Sequence, residues 1–486
     1  MNTEDKIQQN QNIIRRLGLA LGPLLFLFVM SLPNITLLSA EAQKVVAVAV
    51  WMLVWWVTEA VSLPVTALLP LILLPLTNVV PIKEAAAPYS SPIVYLFMGG
   101  FVIALAMEKW DLHLRIALTI VKLTGTHANG IILGFMIATA ALSMWISNTA
   151  TTVMMLPIAS SVITLLVGSV SQKGQKNFAL AIMLGVAYAA NVGGVATLVG
   201  TPPNSVLAGF ISTTYGYEID FASWFFMGFP FSVVMLAITY FILVKWVYPN
   251  KLGHIEGSAK LINDKLQALG KISIPEKKVL FVFASTAICW ISRGYINPYL
   301  PFSLTDPVIA MMGAIALFIV PATNFKSGYL LVWEDMQKLP WGILLLFGGG
   351  LSLASALSTT GVIELIGNLV SNNNQLSVIG VILLMTSVVL LMTEVMSNVA
   401  LVAVFMPVVA GIATGLGVPV LWVAIPVTIA SSCAFMLPMA TPPNAIVFAS
   451  GHIKVFQMVR AGILLNVMAI LLLLVWEQSF VRWFFE

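Results

Sequence analysis

Two short polar motifs occur twice in this chain, each time within a long apolar stretch. Ser147-Asn148-Thr149 is matched by Ser397-Asn398-Val399, and Thr201-Pro202-Pro203-Asn204 is matched by Thr441-Pro442-Pro443-Asn444. An asparagine side chain offers both a hydrogen-bond donor and an acceptor, so it can face an anion and brace a cation. A Pro-Pro pair interrupts a helix because proline lacks the N–H donor and clashes with the preceding turn. The motifs therefore predict an unwound helix beside a polar tip in each half of the chain.

The unwound segments, predicted near residues 200–204 and 440–444, would free backbone groups that need partners in an apolar environment. The candidate ligands for a hard cation such as Na⁺ are the carbonyls of Gly200, Ala440, Ser147 and Ser397. Residues 178–217 and 395–476 contain no Asp or Glu, so neutral oxygens would hold the cation, which favours Na⁺ over Zn²⁺ or Ca²⁺. Helix N-termini at the two tips carry partial positive charge and suit a carboxylate. A structural kink would explain one Pro-Pro pair, but the duplication favours a binding site.

Two acidic residues, Glu394 and Glu59, lie in apolar surroundings. Glu394 precedes Ser397 by three residues, and Glu59 follows Trp55-Trp56-Val57-Thr58. An acidic residue within a membrane is a functional candidate, but a carboxylate bonded to hydroxyls or helix N-termini also serves as structural glue. The sequence leaves both interpretations open for both residues.

The composition places these motifs in a membrane protein. Of the 486 residues, 59% are hydrophobic and only 9% are charged, whereas a soluble globular chain carries about 25% charged residues. Lys and Arg are absent from residues 123–172, 177–244 and 339–453, because charge at the bilayer centre costs at least about 2.5–3.5 kcal/mol per residue. The net charge of +4, without a basic block, gives no indication of nucleic-acid binding.

Hydropathy predicts an all-α polytopic protein of about eleven transmembrane helices. The predicted spans are 17–38, 45–60, 62–79, 93–122, 178–212, 221–248, 278–296, 305–322, 341–370, 419–451 and 455–482. Two further apolar stretches, 130–168 and 377–414, are too long for one crossing and carry a Ser-Asn pair at their centres. Each is predicted to be a re-entrant hairpin, which enters and leaves the same face of the membrane.

Charged loops give the predicted orientation and the domain boundaries. Arg15 and Arg16 precede the first span, and the polar connection 249–277 is rich in lysine, so both are predicted to be cytoplasmic. Five later crossings place the C-terminus outside the cell membrane. The predicted parts are the following: 1–42, an N-terminal segment with the first helix; 43–248, the first repeat; 249–277, the cytoplasmic loop; and 278–486, the second repeat.

The two repeats match in motif order and spacing. The Ser-Asn pairs begin at residues 147 and 397, which are 250 residues apart. The same offset separates Phe97-Met98-Gly99-Gly100 from Phe347-Gly348-Gly349-Gly350. Each predicted repeat holds five crossings and one hairpin, and an odd number of crossings inverts the second copy relative to the first. Inverted repeats with interrupted helices at matching positions are typical of secondary transporters, whose substrate binds between the repeats near the midplane.

These residues resemble the divalent anion/sodium symporter (DASS, INDY-like) family of di- and tricarboxylate transporters. The resemblance covers nearly the whole chain and includes Trp55-Trp56-Val57-Thr58-Glu59-Ala60 as well as the paired Ser-Asn and Thr-Pro-Pro-Asn motifs. It implies a homodimer in the lipid bilayer. Each subunit would hold a scaffold domain and a transport domain that moves by an elevator mechanism.

The resemblance also implies the binding residues. The implied substrate-binding residues are Asn148, Thr149, Thr201, Pro202, Asn398, Val399, Thr441 and Pro442. The implied Na⁺ ligands are Ser143, Ser147, Asn148 and Gly200 in the first half, and Thr393, Ser397, Asn398 and Ala440 in the second. Val399 departs from the family pattern, which usually has threonine there, so one hydroxyl that could bond a carboxylate is missing.

The sequence thus predicts a secondary transporter of small dicarboxylates such as succinate, malate, fumarate or α-ketoglutarate, with citrate as a further candidate. Two driving mechanisms stay open, Na⁺-coupled symport and Na⁺-independent exchange. The alternative function is another ion-coupled anion permease, such as an oxyanion or sulfate carrier. An enzyme is disfavoured because HExxH, GxSxG and Walker sequences are absent, and we predict no cofactor and no metal beyond Na⁺ as coupling ion.

Overall fold

A computed structural model describes residues 3–33, 38–166, 171–324, 328–371 and 377–485. Within these residues the fold is helical, and β-structure is limited to two isolated bridges. Parts of several sequence predictions lie outside the described residues, namely 34–37 of the first span, 167–168 of the first hairpin and Glu486.

Twelve α-helices form the part of the chain before the polar connection. They are α1 (Thr3–Ser31), α2 (Ala40–Thr58), α3 (Leu63–Thr66), α4 (Leu69–Leu76), α5 (Ile82–Ala86), α6 (Pro92–Lys109), α7 (Leu112–Leu123), α8 (Ala128–Ser143), α9 (Asn148–Thr164), α10 (Gln172–Val195), α11 (Pro202–Tyr215) and α12 (Phe221–Phe241). A π-helical segment, Ile242–Val247, extends α12.

The remaining helices begin with a short one in the polar connection, where the sequence predicted only a loop. They are α13 (Ser258–Ala268), α14 (Ile274–Ile296), α15 (Asp306–Ile319), α16 (Trp341–Thr359), α17 (Val362–Ser371), α18 (Val378–Thr393), α19 (Asn398–Gly415), α20 (Val420–Ser432), α21 (Pro442–Ala449), α22 (Val455–Trp476) and α23 (Arg482–Phe484). A π-helical segment, Glu477–Val481, joins α22 to α23.

The duplication seen in the motifs extends to the helices. The series α6 to α12 is repeated in the same order by α16 to α22, and the helices α8 and α18 end at the equivalent positions Ser143 and Thr393. Each predicted hairpin consists of two helices with a four-residue break, at 144–147 and at 394–397. The inverted orientation, the re-entry of the hairpins and the division into scaffold and transport domains stay predictions.

Several predicted spans are composed of more than one helix. Nine helices in the described part of the chain are long and apolar enough to cross a membrane, whereas the spans predicted at 62–79, 305–322 and 419–451 are formed by shorter apolar helices. One of the nine, Asn398–Gly415, belongs to the second predicted hairpin. The predicted span 93–122 is broken because Asp111 adopts a left-handed conformation with φ of 54°, which ends a helix.

The glycine pairs of the repeat allow helices to approach closely. A Cβ atom at Gly99 would lie 2.7 Å from the backbone of Ala310, and a Cβ atom at the equivalent Gly349 would lie 2.7 Å from Cα of Ala67. Beside these contacts, the rings of Phe97 and Phe347 meet edge to face, with their centroids 5.1 Å apart. The matched Phe-x-Gly-Gly motifs therefore pack α6 against α15 and α16 against α3, and join the two halves.

We expect Gly349→Ala to lower the thermal unfolding temperature of the detergent-purified protein, because the added methyl group meets backbone that cannot move aside. Overpacking of this kind costs about 1–3 kcal/mol. The control is Gly294→Ala in α14, where the new Cβ would meet no atom within 4 Å. Equal unfolding temperatures for the two variants would show that the close approach is not needed.

Candidate functional site

Each hairpin break ends in a serine that caps the following helix. The Ser147 side chain accepts a hydrogen bond from the Ala150 amide at 3.2 Å, and Ser397 does the same for Ala400 at 3.5 Å. The capped helices therefore begin at the two asparagines, Asn148 and Asn398. Helix N-termini carry free N–H groups and partial positive charge, so both tips suit an anion.

A hydroxyl at the end of the preceding helix fixes each asparagine. The Ser143 hydroxyl lies 2.5 Å from Oδ1 of Asn148 and 2.8 Å from the Ala190 carbonyl. At the equivalent place, the Thr393 hydroxyl lies 2.7 Å from Oδ1 of Asn398 and 2.7 Å from a carbonyl of α20. An amide oxygen that accepts a hydrogen bond from a hydroxyl orients the amide group, which leaves its N–H donors for another partner.

The unwound segments come before the prolines, which corrects the sequence prediction. The prediction placed them near 200–204 and 440–444, but the non-helical residues are 196–201 and 433–441. Pro202 and Pro442 are the first residues of α11 and α21. Proline is favoured at the first position of a helix because the N–H it lacks has no partner there. The Pro-Pro pairs therefore start the second helix and do not disrupt the first.

The asparagine of each Thr-Pro-Pro-Asn motif closes the unwound segment that precedes it. The Asn204 amide donates to the Thr197 carbonyl at 2.8 Å, and the Asn444 amide donates to the Leu437 carbonyl at 3.1 Å. Both asparagines are fully buried. No separate role was predicted for either asparagine, although their place in a duplicated motif was a signal that they act in the same way.

Several backbone oxygens converge beside the first tip. A Cβ atom at Gly194 would lie 2.8 Å from Oδ1 of Asn148 and 3.2 Å from the Gly200 carbonyl. A Cβ atom at Gly200 would lie 3.0 Å from the Met144 carbonyl. Because neither glycine has a side chain, oxygens of Asn148, Gly200 and Met144 approach these two positions closely, and neutral oxygens suit a hard cation like Na⁺. No three His, Cys, Asp or Glu side chains in the described residues are grouped so that they could hold a metal ion.

The two halves enclose one cavity of about 680 Å³. All eight predicted substrate-binding residues line it: Asn148, Thr149, Thr201, Pro202, Asn398, Val399, Thr441 and Pro442. Of the predicted cation ligands, Ser147, Gly200, Ser397 and Ala440 also line it, while Ser143 and Thr393 are buried behind the two asparagines. The structure therefore brings the duplicated motifs together, and their binding roles stay predictions.

One hydrogen bond across the cavity was not foreseen from the sequence. The buried amide of Asn191 in α10 donates to the Thr441 hydroxyl at 3.1 Å, and both residues line the cavity. This bond joins a helix of the first half to the unwound segment of the second. Asn191 lies outside the duplicated motifs, so nothing in the sequence distinguished it from a packing residue.

Glu394 accepts hydrogen bonds from the backbone of the second unwound segment. Its buried carboxylate accepts hydrogen bonds from the amides of Phe435, Met436 and Leu437 at 2.9–3.1 Å, and from the Asn466 side chain at 2.8 Å. The unwound backbone N–H groups therefore have an anionic acceptor, which is the structural role that the sequence left open. The equivalent position of the first half is Met144, whose carbonyl accepts from a threonine hydroxyl.

The chain matches the family described as the sodium:sulfate symporter transmembrane region over residues 15–486. The chain belongs to this family. The resemblance noted from its motifs is thereby confirmed, and the chain is a member of a family of membrane transporters.

Curated relatives match almost the whole chain. The sodium-dependent dicarboxylate transporter SdcS of Staphylococcus saprophyticus is 38% identical over 475 residues, which are 96% of this chain and 92% of the relative. The protein of the same name from Staphylococcus aureus strain USA300 is 39% identical over 467 residues, which are 94% of this chain and 90% of the relative.

Two solved transporter structures share the fold at low sequence identity. The YdaH transporter of Alcanivorax borkumensis gives a TM-score of 0.56 at 12% identity, covering 83% of this chain and 86% of its own. MtrF of Neisseria gonorrhoeae gives a TM-score of 0.56 at 14% identity, covering 94% of this chain and 97% of its own. The likeness supports the all-α polytopic transporter fold.

We expect Glu394→Gln to destabilise the protein. The amide would present N–H donors to backbone donors of the segment 433–441, and leaving a buried group without its partner costs about 1–3 kcal/mol. Thermal unfolding in detergent measures the effect. The control is Glu364→Gln on α17, where the side chain is exposed. An unchanged unfolding temperature for Glu394→Gln would mean that the carboxylate does not hold this segment.

Proposed function

We propose that this protein carries small dicarboxylates across the cell membrane by secondary active transport coupled to Na⁺. The observation that carries the proposal is the pair of equivalent asparagines, Asn148 and Asn398, which line the same cavity at the N-termini of two helices. A dicarboxylate has two anionic ends, and two such tips match it. The dicarboxylate substrate and Na⁺ dependence named for the Staphylococcus relatives support the same assignment.

Charge balance supports sodium as the driving ion. A dianion that enters a negatively charged cell alone is opposed by about 2.3 kcal/mol per charge per 100 mV. Co-transported cations remove this barrier, and neutral oxygens near Asn148, Gly194 and Gly200 offer a place for one. An exchanger would need no cation, so the converging oxygens favour symport over exchange.

Purified protein in liposomes tests the proposal. We expect an inward Na⁺ gradient to drive uptake of labelled succinate into empty vesicles, and an equal K⁺ gradient to drive none. Uptake only into vesicles preloaded with dicarboxylate, without regard to Na⁺, would establish exchange instead. Sulfate uptake without succinate uptake would establish the alternative anion permease and overturn the dicarboxylate assignment.

We expect Asn148→Ala and Asn398→Ala each to abolish succinate uptake, because each removes the amide at one tip of the cavity. Uptake is measured in proteoliposomes with matched protein content. The control is Asn368→Ala, whose side chain is exposed on α17, and it should transport like the wild type. Wild-type uptake by either tip variant would remove that tip from the binding site.

Ser143→Ala and Thr393→Val should each raise the Na⁺ concentration that gives half-maximal uptake by several-fold. Each change removes the hydroxyl that orients an asparagine, and one hydrogen bond contributes about 0.5–1.5 kcal/mol. Initial uptake rates over a series of Na⁺ concentrations measure the shift. If both variants keep the wild-type Na⁺ dependence, the oriented amide oxygens do not take part in cation binding.

The elevator motion, the homodimer and the orientation of the termini are further parts of the proposal. The family resemblance supports the elevator motion and the homodimer, and the charged loops support the orientation. With the N-terminus in the cytoplasm, the cavity end lined by Arg15 is the cytoplasmic end, because this residue lies near the N-terminal end of the span Ile13–Ser31.

A further inference from the structure

The cavity carries one pair of opposite charges. Arg15 and Glu59 are the charged residues among the described residues that line it, and their side chains form an ion pair at 3.2 Å. Every other side chain in this lining is neutral. Arg15 therefore carries the only formal positive charge among the described residues that line the cavity.

Close helix packing fixes Arg15 at this place. A Cβ atom at Gly18 of α1 would clash with the Thr58 side chain, and a Cβ atom at Gly22 would lie 2.7 Å from the rings of Trp51 and Trp55. The two glycines therefore allow α1 to lie directly against α2. Arg15 is three residues before Gly18, so it lies on the same helix face, beside the end of α2.

Glu59 is held in an uncommon backbone conformation at the end of α2. Its φ of 45° and ψ of 39° are left-handed, and its amide donates to the Trp55 carbonyl. A left-handed conformation is strained for a residue with a side chain unless the surrounding structure imposes it. The fold therefore keeps this carboxylate at the cavity edge at an energetic cost, which is consistent with a role there.

The ion pair is exposed and readily exchanged. The side chains of Arg15 and Glu59 are 51% and 58% exposed, whereas no side chain in the other four ion pairs of the described chain exceeds 29%. Water screens such exposed pairs, so they are weak. A guanidinium group also binds carboxylates in a bidentate fork, while Glu59 makes a single contact with it.

We propose that Arg15 is the entrance contact for the dicarboxylate and that Glu59 is a fixed competitor for it. An incoming carboxylate displaces Glu59 from the guanidinium, and Glu59 then displaces the substrate as it moves on to the Asn148 and Asn398 tips. The competition prevents the cationic entrance from trapping the dianion. This inference rests on the proposed function.

Opposite shifts in two variants test the inference. Arg15→Gln removes the contact and should raise the KM for succinate about fivefold, the effect expected for one exposed charge contact. Glu59→Gln removes the competitor and should lower the KM. A purely structural ion pair is broken by both substitutions, so it predicts shifts in the same direction. Arg15→Lys, which keeps the charge, should fall between Arg15→Gln and the wild type.

The control is Arg16→Gln, which removes the same charge one residue along α1 and outside the cavity lining. The KM of this variant for succinate should match the wild type.

Uptake is measured from the face that the Arg15 end of the cavity opens to, in neutral phosphatidylcholine vesicles and in vesicles with anionic lipid. KM values that move together, or do not move, overturn the inference. An Arg15→Gln effect confined to anionic vesicles also overturns it, because Arg15 would then contact lipid phosphate. If wild-type protein takes up no succinate, the proposed function itself fails.

Discussion

Backbone groups that leave a helix inside an apolar protein must find new partners, because the unpaired N–H or carbonyl group costs free energy comparable to a lost hydrogen bond. This protein breaks its helices in both halves and meets the requirement with side chains. Asn204 and Asn444 donate to freed carbonyls, and Glu394 accepts from three freed amides. Because side chains fix the unwound segments, the remaining backbone oxygens near Gly200 are held in place beside Asn148, where the proposed cation would bind.

The two halves meet the same constraint in different ways. The first unwound segment is short, residues 196–201. Among the described residues, its nearest equivalent of Glu394 is Met144, which has no acidic side chain. The second is longer, residues 433–441, and depends on the Glu394 carboxylate. The tips differ as well, because Thr149 presents a hydroxyl to the cavity where Val399 presents methyl groups. In the proposed site a substrate would therefore meet more hydrogen-bonding groups at the first tip than at the second.

The sequence predicted the features that depend on local chemistry. Breaks at Ser147 and Ser397, the repeated helix order and the convergence of the motifs all followed from residue types and spacing. The limits of the unwound segments did not, because a Pro-Pro pair shows that a helix is interrupted without showing on which side it restarts. Asn191 bonds to Thr441 across the two halves, and Arg15 reaches the cavity through the packing of α1 on α2. Both depend on tertiary contacts that no local pattern encodes.

A site built from neutral donors has a consequence for the proposed transport cycle. A buried lysine or arginine facing a dianion would form strong charge-assisted bonds, and the substrate would then leave slowly. Here the tips offer amides, hydroxyls and helix N-termini, whose attraction for an anion is weaker. In the proposed cycle Na⁺ brings the compensating positive charge and removes it again when the ion leaves. The cavity would then hold the dianion strongly only while Na⁺ is bound. The neutrality of the tips is therefore what would couple release of the substrate to release of the ion.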